Sequence, residues 1–219
     1  EYIKGKIKAV VLSFHGLGGG LKSAPSVEEL LWINNDCLVV YPYYGPWSWM
    51  NRQARAMVDE LVDAVYTKYK LSKNIPLICT GGSMGGLSSL LYTRYSKRKV
   101  KACYANCPVT DLKFHFNERE DLPPTIRHAF VGYKENTSQL LMEHSPLKQV
   151  AKLPDIPYLI IHGGKDKSVS KKNHSDKLVA VMRKRKLNVN YIEIEQMGHC
   201  GPLSLNVLQE YAKFIACVI

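Results

Sequence analysis

Residues 76–87 read Pro76-Leu77-Ile78-Cys79-Thr80-Gly81-Gly82-Ser83-Met84-Gly85-Gly86-Leu87. A short apolar run, Pro76 to Thr80, stops at glycines. Leu87, Leu90 and Leu91 then recur at helical spacing, with Arg94 and Tyr95 near the end of that segment. The local order is therefore strand, tight turn, helix. Within the turn, Gly81 to Gly85 spell G-x-S-x-G, a pattern that carries chemistry only in this strand-to-helix context. A serine hydroxyl is a poor nucleophile until a base removes its proton. A sharp turn lifts Ser83 above the sheet, and the backbone can make that turn only where flanking side chains are absent. The helix beginning beneath it favours developing negative charge. The competing readings are an ordinary glycine-rich turn and a phosphate-binding loop.

The same rhythm extends in both directions. Ile7 to Phe14 and Cys37 to Tyr41 read as strands. Arg52 to Tyr69 is a strong amphipathic helix through Ala54, Met57, Val58, Leu61, Val62, Val65 and Tyr69. Val100 to Asn106, Pro157 to His162 and Val189 to Glu195 read as further strands. Lys171 to Arg185 and Leu203 to Cys217 read as helices. Continuous apolar strands separated by helices predict an α/β fold: a mostly parallel sheet of about six strands, covered on both faces. The stretch from Asp111 to Asp155, with Pro123, Pro124, Pro146 and Pro154, breaks the rhythm. It reads as an insertion at about 112–155, over one edge of the sheet on the active-site side, within a single domain spanning 1–219.

Ligands of open parallel sheets bind beyond the carboxyl ends of the strands. His15 to Gly20, Gly81 to Gly86, Asp166 and His199 all fall at such ends. The chain has seven histidines. His199, in the glycine-flanked loop Gln196-Met197-Gly198-His199-Cys200-Gly201, is the expected base for Ser83. His174 is expected on an exposed helix facing solvent. His115, His128 and His144 belong to the insertion and at most line the pocket. Asp166 is the expected orienting acid; Asp111 is its rival and otherwise caps a turn. The oxyanion donors are expected from Met84 N–H and Leu17 N–H, with Gly16 as the close alternative. His15 reads as a structural turn residue. Gly16 to Ser23 also approaches the phosphate-binding pattern G-x-x-x-x-G-K-[ST]. Its sixth position is Leu21, whose side chain would block a phosphate, so the nucleotide reading is set aside.

Composition narrows the classes further. The 219 residues are 46% hydrophobic and 22% charged, an ordinary globular balance that excludes disorder and low-complexity architectures. Apolar runs such as Ala9 to Leu12 are too short for a bilayer. The net charge of +11 raises a nucleic-acid reading, but the excess is spread over small clusters at Arg94–Lys101, Lys165–Lys172 and Arg183–Lys186 without interleaved aromatics. These predict solvated faces and no nucleic-acid partner. The six cysteines show no CxxC pair and no zinc spacing, so neither metal nor cofactor is expected. Cys37, Cys79, Cys103 and Cys107 fall in or beside strands, where buried reduced thiols point to a reducing, cytoplasmic compartment. Oligomeric state is left open, as is a leader removed or a start trimmed, since the chain does not begin with Met.

Together these motifs resemble the α/β-hydrolase superfamily, and more narrowly the catalytic domain of the prolyl oligopeptidase family. The resemblance rests on Gly81-Gly82-Ser83-Met84-Gly85-Gly86, on Cys107-Pro108-Val109-Thr110-Asp111, on Phe130-Val131-Gly132-Tyr133 with Asn136 and Ser145-Pro146-Leu147, and on Ile156-Pro157 to Asp166. It spans about Val10 to Phe214. It implies a triad in the chain order Ser83, Asp166, His199, and hydrolysis of an ester or amide through an acyl-enzyme. Two departures turn the expectation toward a compact esterase rather than a peptidase. The family's peptidases usually carry a large β-propeller, for which this length leaves no room. They also place a tyrosine in the oxyanion loop, where this chain has His15-Gly16, the H-G form common among esterases. The strands that normally precede this H-G strand are not found. The expected partner is a small ester or a short peptide. Tyr44, Trp47 and Trp49 at the pocket rim, and Phe130 with Tyr133 on the acyl side, are candidate substrate contacts; packing of their own loops is an equal reading. A non-catalytic binding module on the same fold is the remaining alternative.

Overall fold

A computed structural model of the chain describes residues 5–20 and 22–219. Six parallel strands form one sheet: β1 (Ala9–Phe14), β2 (Cys37–Val40), β3 (Leu77–Gly82), β4 (Val100–Asn106), β5 (Tyr158–Gly163) and β6 (Val189–Ile194), in the order β2-β1-β3-β4-β5-β6. Registers such as Val10↔Leu77, Cys103↔Tyr158 and Leu159↔Asn190 are parallel throughout. The chain steps outward from β1 to β2, then returns to lay β3 on the other flank of β1. The order therefore reverses between β1 and β3, where open α/β sheets form their ligand crevice.

Alternation along each strand sorts side chains onto two faces. Val10, Leu12, Phe14, Leu77 and Cys79 join one buried cluster; Ala9, Val11 and Ile78 join the other. The first face is covered by α2 (Arg52–Lys68), α3 (Met84–Tyr95) and α8 (Ser175–Lys184), through residues such as Val58, Val62, Leu87, Leu90, Leu178 and Met182. The second is covered by α1 (Val27–Ile33) and α9 (Leu205–Val218). Trp32 Nε1 donates to the Tyr211 hydroxyl at 2.6 Å and ties these two helices together.

Helix α1 lies in a stretch to which the periodicity gave no element, and its signal is a cap rather than a hydrophobic stripe. Ser26 and Glu29 form a reciprocal capping box. The helical segment between β4 and β5 holds α4 (Leu112–His115), α5 (Leu122–Ala129), α6 (Thr137–Glu143), α7 (Pro146–Gln149) and a 3-10 turn (Val150–Lys152). Its apolar residues Leu122, Ile126, Leu140 and Val150 belong to the same buried cluster as β1 and β3.

His174 departs from expectation. It is fully buried, not solvent-facing, and α8 begins after it. Thr110 N–H and Asp111 N–H both donate to its Nδ1, at 3.0 and 3.2 Å. Its Nε2–H donates to Glu118 at 2.9 Å. These polar bonds draw the ring inward, a contact pattern that helix periodicity cannot reveal.

Candidate active site

Ser83 stands between β3 and α3 with φ 57° and ψ −123°, a conformation costly for any residue with a Cβ. It is held there from both sides. Ser83 N–H donates to Asn106 O at 2.9 Å, and Leu87 N–H and Val109 N–H donate to Ser83 O at 3.1 and 3.3 Å. The flanking glycines are required by packing. A Cβ on Gly85 would overlap Phe14 O, one on Gly81 would overlap Gly85 O, and one on Gly86 would sit 2.8 Å from Pro108 Cβ. The first turn of α3 thus rests directly on the end of β1.

Asp166 and His199 leave β5 and β6 on loops zipped by backbone bonds: Gly164 N–H to Ile194 O at 2.9 Å and Lys165 N–H to Met197 O at 3.0 Å. His199 Nδ1–H donates to Asp166 Oδ2 at 2.7 Å. Asp166 Oδ1 accepts the N–H groups of Ser168 and Val169 at 2.8 and 3.0 Å. The Asp166 side chain is wholly buried. Burial alone would push its pKa up, yet bonds from His162, His199 and Val169 N–H outweigh this and hold the carboxyl well below the usual range. For His199, burial favours the neutral ring, but Asp166 and the neighbouring Cys107 raise its pKa to about 9. The arrangement fixes the tautomer, with the proton on Nδ1 and Nε2 left to exchange protons.

Ser83 and His199 line one cleft of about 590 Å³, together with His15, Gly16, Leu17, Trp49 and Asn106. No hydrogen bond joins the serine to the ring among the described residues, and such contacts are often loose without substrate. Neither Leu17 N–H nor Met84 N–H is spent on an acceptor among the described residues. Gly16 lies close enough to the serine that a Cβ on it would be 3.9 Å from Ser83 Cβ. His15 is buried, stacked on Tyr44 with ring centroids 4.3 Å apart, and its Nδ1–H donates to Gly16 O at 2.8 Å. Its Nε2, Asn106 Oδ1 and the Tyr104 hydroxyl are buried in the lining without partners among the described residues. The first two are acceptors, so the cleft floor suits hydrogen-bond donors. Leu21, which decided against the phosphate loop, lies outside the described residues.

Of the aromatic candidates, Trp49 lines this cleft and donates from Nε1 to Thr125 Oγ1 at 3.2 Å. Tyr44 is buried behind it, its hydroxyl donating to His15 O at 2.7 Å, and so braces the loop instead. Trp47 packs edge-on against His128 over a separate surface depression. Phe130 and Tyr133 line another, beside Thr137 and Leu140. Asp111 caps α4, accepting Phe114 N–H at 3.0 Å. His115 lines the cleft, whereas His144 is buried against Arg55, with 2.7 Å between its Nε2 and the guanidinium.

Three further residues shape the site. His162, four residues before Asp166, accepts from Ser175 Oγ at Nδ1 (2.7 Å) and shares its Nε2–H between Val169 O (3.1 Å) and Asp166 (3.2 Å). Its place at the end of β5 was the available signal. Glu118 gathers His115, His174 and the N–H of Ser170, tying the helical segment to the loop after Asp166. These bonds outweigh burial and hold its pKa at about 2. Nothing in the sequence marks Glu118 as a joint, because beyond His115 its partners His174 and Ser170 are remote in the chain, and nothing marks the approach of Cys107 to Cys200.

The six-stranded parallel architecture is an α/β-hydrolase fold. It superimposes on a puromycin-hydrolyzing peptidase of Mycobacterium tuberculosis at TM-score 0.77 and 16% identity, over 98% of this chain and 35% of that one. An acylaminoacyl peptidase of Pyrococcus horikoshii gives 0.74 and 14%, over 96% and 36%. Carboxyl esterase 2 of the fungus Tuber melanosporum gives 0.71 and 17%, over 98% and 80%. The chain thus spans about a third of the length of the two peptidases. No curated protein matches it in sequence. No described helix is long and apolar enough to cross a membrane. Residues 55–217 match the Prolyl oligopeptidase family, and the chain belongs to that family.

Proposed function

We propose that the chain is a serine hydrolase that cleaves carboxylic esters through an acyl-enzyme. The observation that carries this reading is the strained Ser83, at φ 57°, opening into the same cleft as the Asp166–His199 pair. Ser83 Oγ attacks the carbonyl carbon as His199 Nε2 takes its proton. Met84 N–H and Leu17 N–H, or Gly16 N–H in place of the latter, hold the oxyanion. His199 returns the proton to the leaving oxygen. Water then repeats the sequence against the acyl-enzyme, and Asp166 stabilises the imidazolium in both halves.

A peptidase of short substrates is the second reading, favoured by the family match over residues 55–217. One plate separates the two: p-nitrophenyl esters from acetyl to dodecanoyl beside Ala-Pro and Gly-Pro p-nitroanilides, with Ser83→Ala as blank. Serine-dependent turnover of esters alone supports the esterase, and strong turnover of the anilides supports the peptidase. Silence across the plate with no fluorophosphonate labelling of Ser83 would leave a binding module.

A further inference from the structure

Beside the His199 ring lies a group of atoms that hydrolysis does not use. Cys107 follows β4 with φ 44°, and Cys200 follows His199 with φ 49°. Cys200 N–H donates to Cys107 Sγ at 3.3 Å, and Cys200 Sγ lies 4.0 Å from His199 Nε2. One ligand atom from each of Cys107, His199 and Cys200 falls within 4.8 Å of the other two. Two thiols and an imidazole are the donor set that a tetrahedral zinc ion takes, at about 2.3 Å from sulfur and about 2.0 Å from nitrogen. Asp166 already holds Nδ1–H, which leaves Nε2, once it gives up its proton, as the ring's coordinating nitrogen. Cys200 and His199 line the cleft, so an ion has a path to them.

Among the described residues, two other clusters have comparable spacing but no donor to spare. In Cys107–His162–Asp166, both ring nitrogens and both carboxylate oxygens are already bonded. In His115–Glu118–His174, the two backbone donors at His174 Nδ1 force its proton onto Nε2, which is committed to Glu118.

We propose that Cys107, His199 and Cys200 form a zinc site that silences the enzyme reversibly. On binding, the protons held by the two sulfurs and by His199 Nε2 pass to solvent, and the ring, left neutral with its proton on Nδ1, coordinates through Nε2, with the fourth position open to the cleft. With Nε2 coordinated, it cannot take the Ser83 proton, so metal binding and hydrolysis exclude one another. The silencing rests on the serine-hydrolase reading; the binding does not.

The test titrates the reduced full chain with Co²⁺, following the thiolate-to-cobalt charge-transfer absorption, then displaces it with Zn²⁺. The band is expected in the parent and absent in Cys200→Ala and Cys107→Ser. Cys200→Ala carries the test if the buried Cys107 variant does not fold. Zn²⁺ is expected to block p-nitrophenyl ester turnover and fluorophosphonate labelling until a chelator is added. The inhibition constant should rise at least ~10-fold in Cys200→Ala, since loss of a ligand outweighs loss of a supporting partner. Absence of the band, or its survival in Cys200→Ala, overturns the site. A cobalt band in a protein that, before any metal is added, neither hydrolyses nor labels would uphold the site and overturn the hydrolase reading. Ester turnover without the band would do the reverse.

Discussion

Ser83, His199 and Asp166 have distinct expected signatures. Ser83→Ala is expected to lower kcat by at least ~10³-fold without loss of stability, measured on the best p-nitrophenyl ester. Full activity in that variant would remove the nucleophile assignment. Asp166→Asn is expected to cost about 10³- to 10⁴-fold, because the ring loses its tautomer and its counter-charge. Asp111→Asn should leave kcat unchanged, since that side chain caps α4. The pH profile follows from His199. Its pKa is raised to about 9, so the ring is protonated at neutral pH, while the base form must be neutral. The kcat/KM is therefore expected to rise with pH, with its midpoint near 9 and a plateau only above that; a plateau already reached below 7 would contradict this. The same shift stabilises the fold below the ring's ordinary value of 6.5, and that stabilisation is lost as pH rises through about 9.

At the scale of elements, two contacts decide how the site is assembled. The first turn of α3 touches the end of β1 so closely that a methyl group on Gly85 has no room. Gly85→Ala is expected to cost about 3 kcal/mol, the upper end for overpacking, read as a lower urea midpoint with unchanged slope. Glu118 joins the loop after β5 to the α4 region through His115, His174 and Ser170. Its depressed pKa means that its stabilisation is present above its ordinary value of 4.5 and is lost as pH falls through about 2. Glu118→Gln should cost about 2 kcal/mol at neutral pH and flatten the acid limb of the stability curve. An unchanged acid limb would mean that the carboxylate holds nothing in place.

At the scale of the whole molecule, the helical segment between β4 and β5 and the sheet share one apolar cluster, Leu122 and Ile126 packing with the residues of β1 and β3. The expectation is one cooperative unit. Trp49 reports on the cleft side, and Trp32 sits on the opposite face between α1 and α9. Urea unfolding followed by Trp49 fluorescence in a Trp32→Phe, Trp47→Phe background, which leaves Trp49 alone of the three tryptophans, should coincide with the far-ultraviolet signal. Earlier loss of the Trp49 signal would make the segment a separate folding unit.

The strands and long helices were legible because their periodicity is local: β4 spans Val100–Asn106 as read, and the ends of the other strands differ by a residue or two. G-x-S-x-G was legible because a strand, a turn and a helix follow one another within twenty residues. Helix α1 carried its signal in Ser26 and Glu29, a cap too short to register as a stripe. The inward turn of His174 and the reach of Glu118 across 52 residues to Ser170 had no comparable trace, and of the brace of His162 on Asp166 only the place of His162 at the end of β5 was visible. The roles of Tyr44, Trp47 and Phe130 depended on which way each loop folded back, which composition does not encode. The order of elements and the residue types at the strand ends could be read from the amino-acid order alone, because both follow from local backbone preference and side-chain pattern. Which polar atoms spend their hydrogen bonds on one another was set by the packing of distant segments. That packing brought Cys107 to His199 and Cys200 across more than ninety residues, because β4 and the loop after β6 meet at the same end of the sheet.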